Sequence, residues 1–545
     1  MYESMYVRDS QNECPVGRNL LLDKVRKIHQ SRNCETIKLW PVDSRREICN
    51  QELTLVEGTD MRDLWKKLPF HYVFKVYLFN ITNAEGIENG EKPHLQQVGP
   101  YVFYEWKEKL NPVDDEEVDT VEVSYKTTWY FQPSESNGLT GNEELIYPHL
   151  AILSTILVTM IEKPQMISVA AKAVDSIYKK PTSIFMKAKA MDIMFNGIPI
   201  DCTVKDFAGS ALCAILKSDT RNLHVVGEDM YKFSLFGNQN DTIKEGRIKV
   251  TRGVKDPKKL GYVVEYKNET IQTVWNGDEC NAFEGTDSTV FHPGLYKDEN
   301  VIAFIFDLCR KMVGHFSKPT KVAGFKTNQY LFDLGDQSTV PEEKCYCLNP
   351  DNCLKAGALD LYTCKGTPII ATLPHFYLAD PSYLENVTGL HPVKEDHEIR
   401  LEFEPFTGTP ISSRQRMQFN MFIFPIPKFK LMKNFPYALL PLVWIEDNVD
   451  LSPDVIKQVM LVFHVLTGVS CFKWILLLGG LAVGGAAGGL EFKRRQLEKK
   501  LEITPVAPAP GSTDSSKNSA DVKKWPVNIS TLQPAAVPAS IDDRN

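Results

Sequence analysis

Six cysteines, Cys280, Cys309, Cys345, Cys347, Cys353 and Cys364, crowd into one stretch of the chain and restrict its fold more than any other feature. An even, clustered set is either a disulfide framework in an oxidising space or a metal site in a reducing one. Zinc takes paired ligands a few residues apart, often completed by histidine. Here the last four cysteines follow as C-x-C, then five residues, then ten, with no histidine among them. The spacing predicts disulfides and no metal, and therefore a secreted or lumenal segment; fifteen connectivities are open to six cysteines. Four N-glycosylation sequons, at Asn80, Asn240, Asn268 and Asn386, point the same way. A fifth, at Asn528, falls in a region expected to be cytosolic and is read as chance.

One membrane segment is evident. From Gln458 to Leu490 only Lys473 carries a formal charge, and Trp474–Leu490 is uncharged throughout. About 20 apolar residues cross the hydrocarbon layer, so a span over 469–492 is expected, with Lys473 snorkelling outward and Trp474 at the interface. Lys493, Arg494, Arg495, Lys499 and Lys500 follow at once and mark the cytoplasmic side. The ectodomain then comprises residues 48–468 and the tail 493–545, which from about Ile503 is rich in Pro, Ala, Ser and Thr and is expected to be disordered. Gly480, Gly484 and Gly488 recur every fourth residue, a spacing that lets a second helix approach. Residues 1–47 are atypical: Met1–Asp60 never has more than four uncharged residues in a row, which fits neither a signal peptide nor a membrane helix. A net charge of −7 without a basic stripe argues against nucleic acid as a partner.

Between Thr59 and Pro453 most segments are short and alternating. Phe74, Val76 and Leu78, then Ile399, Leu401 and Phe403, then Met417, Phe419, Met421 and Ile423 read as half-buried strands. Gly261–Tyr266 and Thr270–Trp275 read as a hairpin about Lys267-Asn268-Glu269. The exception is 142–195, where His149–Ile161, Met166–Lys180 and Thr182–Phe195 carry helical spacing and are separated by Pro164 and Pro181.

Catalytic patterns are missing: no G-x-S-x-G, no H-E-x-x-H and no phosphate loop. Asp396-His397-Glu398 with Glu402 and Glu404 reads as the solvated face of a strand. No catalytic residue, metal or cofactor is expected. The remaining candidate is a basic set beside the helices: Lys172, Lys179, Lys180, Lys187 and Lys189. Such lysines either line a solvated face or hold an anionic head group while the apolar surface takes a tail.

Several blocks in order resemble the class B scavenger receptor family, and within it the insect sensory neuron membrane proteins. They are Thr59-Asp-Met-Arg-Asp-Leu-Trp65, Leu78-Phe-Asn-Ile-Thr-Asn83, Gly90-Glu-Lys-Pro93, Val98-Gly-Pro-Tyr101 and Ser234-Leu-Phe-Gly237, then Arg252-Gly-Val254, Cys280-Asn-Ala-Phe-Glu-Gly-Thr-Asp287, Asp307-Leu-Cys-Arg310, Glu404-Pro-Phe-Thr-Gly408 and Leu442-Val-Trp-Ile-Glu446. The sensory branch is suggested by Met191-Asp-Ile-Met-Phe195 and Arg414-Gln-Arg-Met-Gln-Phe-Asn420, with Cys202 and Cys213 nearby. The resemblance runs from about Ile48 to Arg495. It departs at Ser288 and His292, where the family places glycine and proline, and at residues 1–47, where an N-terminal membrane helix is missing.

The resemblance implies an α+β fold: a large β-rich, barrel-like ectodomain, a helical-bundle apex over 142–195, an apolar tunnel and a C-terminal transmembrane helix. It implies the pairings Cys280–Cys345, Cys309–Cys364 and Cys347–Cys353, and a ligand entrance near Lys179, Lys180 and Lys187. The implied function is a plasma-membrane lipid receptor that captures hydrophobic, fatty-acid-derived pheromones and delivers them to an odorant receptor complex, with odorant-binding proteins as further partners. The alternative within the family is a general scavenger, lipoprotein or fatty-acid uptake receptor; a membrane-tethered hydrolase is the third reading.

Overall fold

The computed structural model describes residues 54–218, 223–297, 299–349, 351–450 and 453–501. The atypical segment 1–47, the tail beyond 501 and Asn528 lie outside the described residues.

Period-two burial builds the main sheet. In β1 (Tyr72–Ile81) Phe74, Val76 and Leu78 are buried on alternate positions. β1 pairs with β2 (Leu95–Asp115), which returns as β3 (Thr120–Phe131). At the apex, β4 (Glu144–Pro148) pairs with β5 (Phe185–Lys189), and β6 (Ile198–Asp201), β7 (Leu223–Gly227) and β8 (Met230–Phe233) form a small sheet. The chain then adds β9 (Thr242–Ile243), β10 (Ile248–Thr251), β11 (Val263–Tyr266), β12 (Val301–Ile305), β13 (Arg310–Val322) and β14 (Phe325–Phe332). It finishes with β15 (Ala358–Asp360), β16 (Ile370–Thr372), β17 (Ile399–Phe403), β18 (Pro410–Ile423) and β19 (Ala438–Asp450). All pairings between these strands are antiparallel, in the order β11-β10-β3-β2-β1-β19-β18-β17-β14-β13-β12.

The two outer strands of this path nearly meet. Between them runs 285–286: Val263 N–H donates to Gly285 O (2.9 Å), Thr286 N–H to Ile302 O (3.0 Å) and Phe304 N–H to Thr286 O (2.8 Å). Gly285 sits at φ +99°, and a Cβ there would lie 2.6 Å from the Ile302 backbone, so no side chain fits the closure. Three residues on, Ser288 stands at φ +66°, a left-handed angle that glycine adopts at no steric cost. Ser288→Gly is therefore expected to raise stability by up to about 1 kcal/mol, read as a small rise in melting temperature.

The amino-terminal helix α1 (Asp60–Lys66) is tied to this closure. Thr59 Oγ1 caps it by accepting from Arg62 N–H (3.2 Å), and Arg62 forks onto Asp114 at 3.0 and 2.7 Å. Trp65 Nε1–H donates to Asp287 Oδ2 (2.8 Å), whose charge faces Lys109 at 3.2 Å.

Three helices cover one end of the sheet. α2 (Leu150–Glu162) buries Leu150, Ile152, Leu153, Ile156 and Leu157, and α3 (Ile167–Ile177) buries Ile167, Ala173, Val174 and Ile177. The third is not Thr182–Phe195. That stretch forms β5 and a single π-helical turn, Asp192–Asn196, because Phe185 alternates with Lys187 and Lys189 and pairs with β4 instead. The third helix is α4 (Phe207–Ser218), fastened by a Cys202–Cys213 disulfide. The apex thus reaches well past residue 195.

Two further expectations change. β11 pairs with Ile248–Thr251, and the stretch after Glu269 contributes a single bridge, Ile271 to Ala282, in place of a hairpin strand. Glu398, Glu402, Glu404 and His397 are buried and not solvated. Glu402 accepts from Gln329 Nε2 (2.7 Å) and from Thr320, while Glu404 accepts from Phe406 and Thr407 N–H at 3.0 and 2.7 Å and holds that turn.

The disulfides Cys280–Cys345 and Cys309–Cys364 cross an apolar cluster around Trp275, Leu308, Tyr346 and Phe403, and a third joins Cys347 to Cys353. The carboxyl-terminal helix α5 (Pro453–Leu501) contains Ile475–Lys500, which is long and apolar enough to cross a membrane. This helix carries the chain from a compact unit ending at Val462 into a second beginning at Phe463.

Candidate functional site

The apex holds an open cleft of about 500 Å³, within the range of small-molecule sites. Its walls come from four separated segments: His149 and Ile152 at the start of α2, Ile177 to Met186 after α3, Pro199 and Asp201 on β6, and Met230 on β8. The lining is chiefly apolar with a few polar groups at the lip. Lys179 and Lys180 both take left-handed backbone angles (φ +55° and +59°), and Lys180 N–H donates to Asp175 O (2.8 Å) to close α3. This turn carries Lys179 to the lip, where it is 82% exposed and 3.8 Å from Asp201.

The other expected entrance residues are placed differently. Lys180 is exposed beside Lys179 and is not part of the lining. Lys187 lies on β5 against Glu144 (2.6 Å) and also stays out of the cleft. Lys172 and Lys189 are exposed on α3 and β5. His149, which lysine spacing could not reveal, is central to the cleft. Its ring sits edge-on to Tyr178 (4.5 Å between centroids), and burial lowers its pKa to about 4, so it is neutral at pH 7. A histidine directly ahead of the apolar run of α2 was the available signal.

A second polar assembly, mostly buried but with Gln97 exposed, lies along the main sheet. Gln97 Oε1 accepts from Trp444 Nε1–H (2.7 Å) and lies 2.6 Å from His375 Nε2; His375 stacks on His397 at 4.4 Å. Gln418 bonds Asn420, and Asn420 donates to Ile370 O (2.9 Å) and Thr372 Oγ1 (3.0 Å). Arg416 donates to Glu446 and to the carbonyls of Glu395 and Glu398 at 3.0 Å each, and Glu446 also accepts from Lys75 (2.9 Å) and Asn448 (2.6 Å). Most of these groups bond one another, with Asn448 Oδ1 left over, which makes them a specifying network for the sheet.

Among the described residues no hydroxyl or thiol is set up as a nucleophile. His224 Nε2 lies 3.2 Å from Ser234 Oγ, yet no carboxylate among the described residues completes a triad. No cluster of three metal-ligating side chains occurs among the described residues. The sequon asparagines differ: Asn268 and Asn386 are exposed, whereas Asn80 and Asn240 are half-buried and accept from the backbone N–H of Ile146 (2.9 Å) and Trp129 (2.8 Å).

Comparison with known proteins adds a lineage to this geometry. A profile of the CD36 family matches residues 35–490, reaching back into the stretch that the sequence had set apart as 1–47. The chain is 45% identical over 499 residues to sensory neuron membrane protein 1 of Apis mellifera, covering 91% of this chain and 94% of that one. It is 38% identical over 470 residues to the Manduca sexta protein of the same name (85% and 89%). With the Ostrinia nubilalis protein it shares 37% over 507 residues (92% and 95%).

Proposed function

The chain belongs to the CD36 family, and from that premise we propose that it is a membrane receptor of olfactory neurons which captures hydrophobic odorants at its apex. Its named relatives are sensory neuron membrane proteins, and its apolar carboxyl-terminal helix supplies the membrane anchor. The ectodomain faces outward and the basic flank beyond Leu490 stays in the cytoplasm. The single observation that carries the reading is the apical cleft, large enough for a fatty-chain compound and lined by Ile152, Ile177, Phe185, Met186 and Met230. Each methylene moved from water into such a site gains about 0.8 kcal/mol. The captured ligand, a fatty-acid-derived alcohol, acetate or aldehyde, passes through the ectodomain to an odorant receptor in the same membrane. Odorant-binding proteins deliver it to the cleft. Lys179 is the basic contact at the entrance, with Lys180 adjoining it. Asn268 and Asn386 carry glycans away from the cleft, and Asn80 and Asn240 are the other two acceptor sites. Binding and transfer need no covalent chemistry and no cofactor.

The test fills the cleft. Thr182 is exposed at its lip, so Thr182→Trp obstructs the opening without disturbing the core. Full-length protein in lipid nanodiscs, titrated with a fluorescent long-chain probe against empty nanodiscs, should lose affinity by about tenfold or more, equivalent to about 1.4 kcal/mol. Undiminished binding by Thr182→Trp would remove the cleft from the pathway.

A further inference from the structure

The hairpin of β13 and β14 ends in a tip that carries lysines and no acid. Lys318, Lys321 and Lys326 are exposed, and none of them forms an ion pair or a side-chain hydrogen bond among the described residues. Lys321 stands directly opposite Lys326 across the two strands, and like charges so placed repel and cost stability. The tip holds them in this arrangement. It closes through Ala323 and Gly324 at φ +51° and +92°, the paired left-handed angles of a tight type I′ turn.

Two large rings lie exposed beside it. β14 pairs with β17 through Asn328 and Phe403, so the turn that follows β17 ends level with the hairpin tip. Phe406 in that turn is 65% exposed. Its N–H donates to Glu404 Oε1 (3.0 Å), and its carbonyl accepts from Gly294 N–H (3.1 Å). The segment after Gly294 crosses the hairpin, with Asn328 Nδ2 donating to Leu295 O (3.2 Å) and the Tyr330 hydroxyl to Tyr296 O (3.1 Å). Tyr296 is itself 60% exposed. Bonds to the main chain thus fix both residues while their rings meet solvent.

This corner belongs to the end of the sheet from which the anchor departs. Phe403 pairs with Pro410 and Ser412 with Asp450, and the chain passes from Asp450 into the helix that begins at Pro453. The hairpin tip, the Phe406 turn and the exit of the chain toward the membrane share one edge.

We propose that this edge is a membrane-docking surface whose partner is the head-group layer of the bilayer that holds the anchor. Lys318, Lys321 and Lys326 meet lipid phosphates, which offset the repulsion between Lys321 and Lys326. Tyr296 and Phe406 enter the boundary between head groups and acyl chains, where aromatic rings are favoured. The lysines alone would also suit an acidic protein; their place at the exit of the anchor favours lipid. Contacts of this kind restrain how the ectodomain tilts about its tether. They need no ligand in the apical cleft, so the assignment stands apart from the receptor reading above.

Lysine labelling tests it. Full-length protein is placed in nanodiscs of phosphatidylcholine with roughly one-third phosphatidylglycerol and, separately, in uncharged detergent micelles. An uncharged, water-soluble amine-reactive ester is added, and the rate at each lysine is read by mass spectrometry. Lys318, Lys321 and Lys326 should react about fivefold more slowly in the nanodiscs than in detergent. Lys172 and Lys205, exposed at the apex, should react alike in both. Tyr296→Ser combined with Phe406→Ser leaves the main-chain bonds in place and should return the three nanodisc rates toward the detergent values. Equal rates in the two media for the wild type overturn the proposal, and protection that appears only on adding an acidic protein assigns the edge to a protein instead. Full protection retained by the double variant overturns the part given to the rings.

Discussion

Replacing Cys280 and Cys345 together with alanine should cost about 4 kcal/mol of stability, from loop closure alone. The bond closes 65 residues of sequence, and the unfolded chain regains that freedom once it is gone. Roughly 5–15 kcal/mol is all that holds an ordinary domain, so the variant should express poorly and melt far below the wild type. The loss is compounded locally. Cys280 is in the short helical turn Asp278–Asn281, and Asn281 bonds the backbone of Val274 and Trp275. Asn276 N–H donates to Cys345 O (3.0 Å), so both ends of the bridge share one hydrogen-bonded knot. The same reasoning ranks the four bridges. Cys309–Cys364, spanning 55 residues, should follow closely, Cys202–Cys213 (11) should cost less, and Cys347–Cys353 (6) least. Midpoints of denaturant unfolding for four double-alanine variants would give the order. A Cys347–Cys353 variant hurt more than Cys280–Cys345 would contradict it.

Arg416→Met is expected to be nearly as damaging, at about 3 kcal/mol, because it leaves the buried Glu446 with Lys75 alone as its counter-charge. Arg416 and Glu446 are both less than a tenth exposed. Adding Glu446→Gln should recover part of the loss, since the pair then goes together. The same carboxylate predicts acid sensitivity. Burial pushes the Glu446 pKa up, but Arg416 and Lys75 outweigh burial and hold it at about 2, against an ordinary 4.5. A depressed folded-state pKa stabilises fully above the unfolded value and is lost as pH falls from about 4.5 toward 2. His375 and His397 act earlier. Burial, their largest influence, lowers them to about 3 and about 4 from 6.5. Their contribution therefore drains as pH drops below 6.5. Thermal melting should decline steadily from pH 7 to pH 4. Substituting Asn for His375 should flatten the upper part of that decline while leaving the Glu446 part below pH 4.5.

What the sequence disclosed followed chemistry that is local. Alternation placed β1 and β17 because both faces of a strand can be read from neighbours a residue apart. The compartment was legible from cysteine spacing, whereas the pairings came from resemblance, since connectivity is a property of the folded chain. The recognisable blocks turn out to serve closure. Trp65 of one block bonds Asp287 of another, and Gly285 lies between the outer strands. Inside and outside were harder to tell apart. Arg416, Gln418 and Asn420 on β18 point into the sheet interior, so polarity there did not signal solvent. At the apex, five residues of β5 were too few to separate strand from helix, because the period was sampled barely twice. The cleft could not be read at all: its walls come from segments up to about eighty residues apart, and His149 matters only once they meet.

The pairing of β1 with β19 bears on how the protein is made. Val73 aligns with Asn448, so the first long strand hydrogen-bonds on one edge to the last, about 375 residues downstream. At roughly 5–20 residues per second of synthesis, β1 waits on the order of 20–75 s for that partner. Through that interval its edge is a template for wrong pairing, and non-local closure is slow in any case. An edge left open for tens of seconds is a liability during biogenesis. A premature stop before Ala438 should yield a chain retained by quality control, not a smaller receptor.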